Sequence, residues 1–253
     1  MKKIVKWAVI LGIIGIILIN LGLSMGAKTV YSNMEIFNKI TEFGFSKSKK
    51  EPIEEFENIN IDSTNINIYF EDSEDDLFYI KKNIKDEYKD KVKVFNKENS
   101  LEINDVNIDS TEKSVGSITI YKPSSKLLNN IDIKCKNIII EADYIDGKSL
   151  ELDILNSKLD IGKLDCSEVN ILSDKANIDI GEIKTDNINI ENNSSNMDIE
   201  LLNTGNINLI NNGGNIDIST INAKIFTSKN NGNISIDILE AEEKNIEGDI
   251  DIN

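Results

Sequence analysis

The 253-residue chain contains no His, no Arg and no Gln. Without His there is no Ser-His-Asp or Cys-His catalysis and no His-based zinc site, and without Arg there is no bidentate clamp on phosphate. Most standard enzyme constellations are thereby excluded. Basic residues are scarce: the formal charge is -16, and from Thr29 onward 24 Lys face 44 Asp plus Glu, a balance of -20. Such a surface repels nucleic acid and anionic headgroups, so no nucleic-acid partner is expected. What the chain does have is 40% hydrophobic residues, enough for one or two domains to bury a core.

The longest apolar run stands near the start. From Trp7 to Met25 the only polar side chains are Asn20 and Ser24, and about 20 apolar residues match a hydrocarbon core of roughly 30 Å. Residues 7–25 therefore read as one membrane span. Lys2, Lys3 and Lys6 precede it and only Lys28 and Lys39 follow closely, so the positive-inside rule puts the N-terminus in the cytoplasm and the bulk of the chain outside. The rival reading is a cleaved signal peptide, with Ser24 and Gly26 as small residues at cleavage spacing. The apolar run exceeds the usual h-region of roughly 7–15 residues.

Cys135 and Cys166 are the only cysteines. An extracytoplasmic domain permits a disulfide, but the repeat register puts the two in different columns on different coils. Two unpaired thiols are expected, one buried in a strand and one at a turn.

The second half repeats itself. Leu152, Ile171, Ile190 and Leu209 form one column. Leu159, Ile178, Met197, Ile216 and Ile234 form another, Ile161, Ile180, Ile199, Ile218 and Ile236 a third, and Leu164, Ile183, Leu202, Ile221 and Leu239 a fourth. Successive members are 19 residues apart, with one step of 18. Projected back one period, the columns land on Ile133, Ile140, Ala142 and Ile145, so coils begin near Ile131. Apolar residues alternate inside each unit, which is strand periodicity. Asn/Ser/Gly runs such as "NNSSN" and "NNGGN" supply tight turns. Two short strands per unit and no helix exclude βαβ layers. Stacked coils fit: a single-stranded parallel β-solenoid with about 19-residue coils, each apolar column lining the interior. An AT-rich genome accounts for much Ile, Asn and Lys, but not for four columns holding one phase.

Before the solenoid, "FENINID", "NINIYF", "KVKVFN" and "GSITIYKP" read as strands without the 19-residue phase. The expected organisation is a cytoplasmic N-terminus and transmembrane helix over 1–28, a juxtamembrane stalk over 29–52, a β-rich entry region over 53–130 covering the first coil, and solenoid repeats over 131–253. Within the stalk, Met34, Phe37, Ile40 and Phe43 share one face of a short helix, or belong to a plain linker.

At "SITIYKPSSKLLNNIDIKCKNIII" the chain resembles the bacterial putative adhesin family of β-strand-repeat proteins. The strand with Ile118, Ile120 and Tyr121 ends at Pro123, and the repeats read "SDKANIDI", "NSSNMDI", "NGGNIDI", "NNGNISI" and "IEGDIDI". Only Gly248-Asp249 keeps the family's Gly-Asp turn. Asn stands in its place at Asn177, Asn196, Asn215 and Asn233. The resemblance spans about residues 53–253. It implies a surface-exposed, non-catalytic β-solenoid, linked in some members to envelope-stress systems, and it carries over no catalytic residue.

Glu141, Asp160, Asp179, Asp198 and Asp217 recur in phase between inward apolar residues, so they point outward as a carboxylate ladder. Neighbours about 4.8 Å apart repel by roughly 1 kcal/mol in water. The ladder is a solvated, salt-screened face or a weak site for Ca²⁺ or Mg²⁺. No other cofactor is expected. Glycosidase-like carboxylate pairing recurs equally in every coil, whereas catalysis needs one asymmetric place. Lys158, Lys175 or Lys184 are the nominal bases for a polysaccharide lyase, but Arg is missing. The sequons at Asn192, Asn193 and Asn233 follow from Asn abundance. The reading is a single-pass, N-in cell-membrane protein with an extracytoplasmic structural or interaction module, adhesin-like and non-catalytic. Its expected partner is a cell-envelope protein or polysaccharide. The competing readings are an accessory or sensor subunit of an envelope-stress system and a cation-dependent surface polysaccharide enzyme.

Overall fold

The alternation of Ile and Leu with Asn and Asp turns each 19-residue unit into an extended ribbon with one apolar edge. The computed structural model describes residues 49–105, 108 and 114–253. Ile139–Leu155 (β9), Lys158–Asp174 (β10), Asn177–Asn193 (β11), Asn196–Asn211 (β12), Asn215–Asn230 (β13) and Asn233–Glu247 (β14) stack in parallel, and Asp251–Ile252 (β15) ends the stack. The register is that of the 19-residue phase: Ile161 pairs with Ile180, Ile180 with Ile199 and Ile199 with Ile218. These side chains are buried in a single apolar column. The fold is an all-β parallel solenoid with coils of about 19 residues.

One expectation is corrected. Each coil is a single long strand that bends, not two short strands, because backbone pairing continues around its corners. The inward positions step by two from Ile178 to Ile180 and by three to Ile183, so the chain turns a corner without leaving the ladder. Gly181 sits at that bend, where an added Cβ would stand 2.6 Å from Gly162 O in the preceding coil.

Coils close through a left-handed residue at one recurring place. Asn137, Asn156, Lys175 and Ser194 have φ of 57°, 50°, 52° and 63°, and Gly213 follows at 125°. The amides of Asn137, Asn156 and Lys175 donate across to Leu155, Asp174 and Asn193 carbonyls of the next coil.

The strands of the first half join this same sheet. Asn58–Thr64 (β2) pairs in parallel with Leu128–Lys136 (β8), and Ile66–Asp72 (β3) with β9. The offset is 72 residues: Ile59 lies on Ile131, Ile61 on Ile133 and Ile68 on Ile140. Asn65, between β2 and β3, has φ 69° and donates its amide to Lys136 O, as the later turn residues do to theirs. Ser100–Asp105 (β6) and Gly116–Lys122 (β7) then pair in parallel with β2 and β3. A coil later in sequence therefore stacks outside an earlier one. Phe78–Ile84 (β4) and Val92–Lys97 (β5) run antiparallel on β7 and β6, and Lys50–Ile53 (β1) on β4. Lys50–Ile53 lies where the sequence reads as the end of a stalk. Antiparallel strands end the parallel ladder and cover the open end of the core.

The span over 7–25, the cytoplasmic N-terminus and the Met34–Phe43 helical face lie outside the described residues. Among the described residues, no helix is long and apolar enough to cross a membrane. Cys135 and Cys166 are free and both buried, in β8 and β10. The expected turn position of Cys166 is corrected: it sits inside the bent strand, level with Gly147 of the preceding coil. Burial pushes both thiols up to about 12.

Candidate functional site

The carboxylate ladder forms in the predicted register. Asp160 pairs with Glu141 and Asp179, Asp179 with Asp198, and Asp198 with Asp217. All are exposed except the half-buried Asp160. Tyr69 stands opposite Glu141 at one end and Ser235 opposite Asp217 at the other. Lys158 leans onto the ladder, with Nζ 2.7 Å from Asp160 Oδ2. Its ammonium is held above its ordinary value by that hydrogen bond first, opposed by partial burial and supported by the charges of Asp160, Glu141 and Asp179. The Tyr69 hydroxyl is raised by burial and then by Glu141. Because the carboxylates are strung along the stacking axis, they do not converge. Among the described residues, no three acidic or thiol side chains gather around a point that could hold a metal ion.

The lysines considered as bases are dispersed. Lys158 is engaged with Asp160, Lys184 with Asp165 at 3.4 Å, and Lys175 with its neighbour Asp174 at 3.7 Å. Amide ladders accompany the carboxylates: Asn196 Nδ2 donates to Asn177 Oδ1, Asn215 to Asn196 and Asn233 to Asn215, at 3.2, 2.9 and 2.8 Å. Of the sequon residues, Asn192 is fully buried and bonded into a second, internal ladder.

One place breaks the repetition. On its outer side β9 is paired with β3 through Ile140–Ala142 and with β8 from Gly147 onward. Residues 143–146 between those pairings have no strand beside them. The chain leaves the coil after Asp72 and again after Lys122, so the third side of the coil is missing there. A cleft of about 280 Å³ results, lined by apolar Phe70, Leu128, Ile131 and Ile145 and by Glu71, Asp72, Asp143 and Asp146. Tyr144 lines it too, its hydroxyl raised by burial and then by Asp146 and Asp165.

Lys122 spans the gap. Its Nζ lies 2.8 Å from Asp146 Oδ1, both side chains being about nine-tenths buried. The same ammonium donates to Lys126 O at 2.6 Å and Pro123 O at 3.2 Å. Toward Asp146 the approach angle makes an ion pair without a hydrogen bond, so Oδ1 accepts none. With three oxygens around it, Lys122 is a strut and is not placed to act as a base. Beside it, the Tyr121 hydroxyl is pushed up to about 12 by burial, then by the charge of and hydrogen bond to Glu71.

Sequence reasoning missed this cleft. In the repeat, Asp146 falls in the column of Asp165, Lys184 and Asn203, an ordinary outward position. Only the crossing of residues 122–128 buries it, and that crossing has no local signature.

No family model matches the sequence, and no curated protein matches it. Solved structures share the fold. A putative adhesin from Bacteroides fragilis aligns over 82% of this chain and 98% of its own, with 19% identity and a TM-score of 0.55. A putative adhesin from Parabacteroides distasonis aligns over 81% and 95%, with 14% identity and a TM-score of 0.50. At these identities the likeness establishes a common solenoid architecture.

Proposed function

We propose that this chain is an adhesin-like, non-catalytic interaction module held at the outer face of the cell membrane by a single N-in span over residues 7–25. The observation that carries the reading is the repetition of the same exposed groups in register, coil after coil. Asn177, Asn196, Asn215 and Asn233 present one amide stripe and Glu141 to Asp217 one carboxylate stripe. A surface of this kind offers many equivalent weak contacts to an extended partner, which sum through multivalency. Catalysis needs one asymmetric point with an available acid or base. The one asymmetric cleft holds its lysine bonded on all sides. The apolar run with its preceding lysines supports the anchor, and the fold shared with proteins named as adhesins supports the role. The partner is a cell-envelope protein or polysaccharide.

The test combines topology with capture. Protease added to intact cells removes epitopes after Thr29 while the full-length species stays in the membrane fraction, and the chain retains envelope material that an Asn177, Asn196 and Asn215 to Ala variant releases. Protection of Asn253 in intact cells overturns the placement. Equal retention by the variant overturns the repeated surface as the contact.

A further inference from the structure

The cleft over residues 143–146 differs from the rest of the surface in being enclosed, apolar at its floor and uncompensated in charge at its rim. Leu128, Ile131 and Ile145 on the floor are 1–3% exposed. At the rim Glu71, Asp72 and Asp143 are exposed, and among the described residues none has a lysine within ion-pair distance. The one cation present, Lys122, is neutralised by Asp146 and directs its bonds to Lys126 O and Pro123 O. It leaves the charge of the rim intact. Asp146 is itself buried to 7% exposure and lines the cleft with an oxygen that accepts no hydrogen bond. A buried acceptor left without a donor is costly, and a ligand that supplies the donor recovers that cost.

We propose that this cleft binds an organic ammonium group carried on a short apolar stem. The apolar floor takes the stem, while Asp146 Oδ1 and the rim carboxylates take the N–H donors and the positive charge. Anions are repelled by the same rim. A volume of about 280 Å³ suits a stem of a few carbons and little more. That chemistry is shared by a free alkylamine and by a lysine side chain of an envelope protein. The inference names the ligand class of the interaction module and rests on that reading only for where the amine comes from.

The experiment is a titration of the purified full-length chain with hexylammonium, with acetyl-lysine amide and with hexanoate, repeated on the E71Q/D72N/D143N variant. These three positions are exposed, so unchanged thermal unfolding verifies that the variant is folded. The expected result is saturable one-to-one binding of an amine, weakened tenfold or more in the variant, and no binding of hexanoate. Preference for acetyl-lysine amide assigns the site to a partner side chain, and preference for hexylammonium assigns it to a free amine. Failure of both amines to saturate, equal binding of hexanoate, or an unaffected variant overturns the proposal. None of these outcomes depends on the membrane topology, which the protease test settles separately.

Discussion

Asn192 Nδ2 donates to Asn211 Oδ1 of the next coil at 3.0 Å, and Asn211 Nδ2 donates to Asn230 Oδ1 at the same distance. Asn192 and Asn211 are fully buried, and Ser173 Oγ extends the ladder by donating to Asn192 Oδ1 at 3.0 Å. Each amide also holds its own turn. Asn211 Oδ1 accepts from Gly214 N at 3.0 Å while its Nδ2 donates to Gly214 O at 3.1 Å. A Cβ at Gly214 would collide with Ser195 O and Asn192 Nδ2. The ladder thus ties turn to turn along the axis inside an otherwise apolar core, using every donor and acceptor it buries.

Asn211→Ala removes the acceptor of both Asn192 Nδ2 and Gly214 N. At about 1–3 kcal/mol for each buried group left unpaired, the expected loss is about 3 kcal/mol. Equilibrium denaturation measures it. Asn215→Ala, in the exposed amide stripe, is expected to cost under about 1 kcal/mol, since water replaces the lost partner.

Turn strain predicts opposite signs at two equivalent positions. Lys175 is exposed with φ 52°, and Gly213 has φ 125° with nothing within 4 Å of an added Cβ. Lys175→Gly relieves a left-handed conformation that costs about 1–2 kcal/mol, offset in part by unfolded-chain entropy, so it raises the melting temperature. Gly213→Ala lowers it through backbone strain alone, as no side-chain clash contributes.

The alternation is tested by neighbours. Ile199 is fully buried and Asp198 is exposed. Ile199→Asp puts an unpaired carboxylate between coils and costs several kcal/mol. Asp198→Asn removes a like-charge contact with Asp179 and Asp217 and is neutral or stabilising. Similar effects of the two changes would mean the inward and outward faces are reversed.

The buried thiols set an alkaline limit. Cys135 and Cys166 rise from an ordinary 9.0 to about 12 in the folded chain because burial disfavours the thiolate. Between those values the folded state holds protons that the unfolded state has released, so stability falls as pH rises. The slope is at most about 1.4 kcal/mol per pH unit per thiol. Denaturation midpoints from pH 8 to pH 11 read this, and a Cys135→Ser, Cys166→Ser variant is expected to flatten the slope.

The repeat was legible because an inward column tolerates only apolar residues: Ile180, Ile199 and Ile218 carry the phase on their own. The ladder of Asp160 to Asp217 followed from the same alternation. The 72-residue match of "NINIDSTNINIYF" to "NIDIKCKNIIIEA" is present in the sequence too. It escapes a 19-residue phase because β4, β5 and the coil of β6 and β7 lie between the two stretches. Continuous strands around each coil were not legible, since Gly162 and Gly181 read as breaks where the backbone only bends. Nor was the cleft, which Lys122 and Asp146 build from positions 24 residues apart that each look ordinary in their own strand.

The central claim is that residues 58–72 form a coil stacked directly on residues 130–142. Asn130 Nδ2 donates to Asn58 Oδ1 at 2.9 Å across that contact, and Ser149 lies one coil beyond Asn130. The most direct measurement is oxidative cross-linking of two double variants, N58C/N130C and N58C/S149C. The buried native thiols are shielded from competing. Adjacent parallel strands place Cα atoms about 4.8 Å apart, within disulfide reach, whereas a two-coil separation of about 9.6 Å is not. The account predicts an intramolecular disulfide in N58C/N130C and none in N58C/S149C. A reduced N58C/N130C, or equal cross-linking of the two pairs, would contradict it.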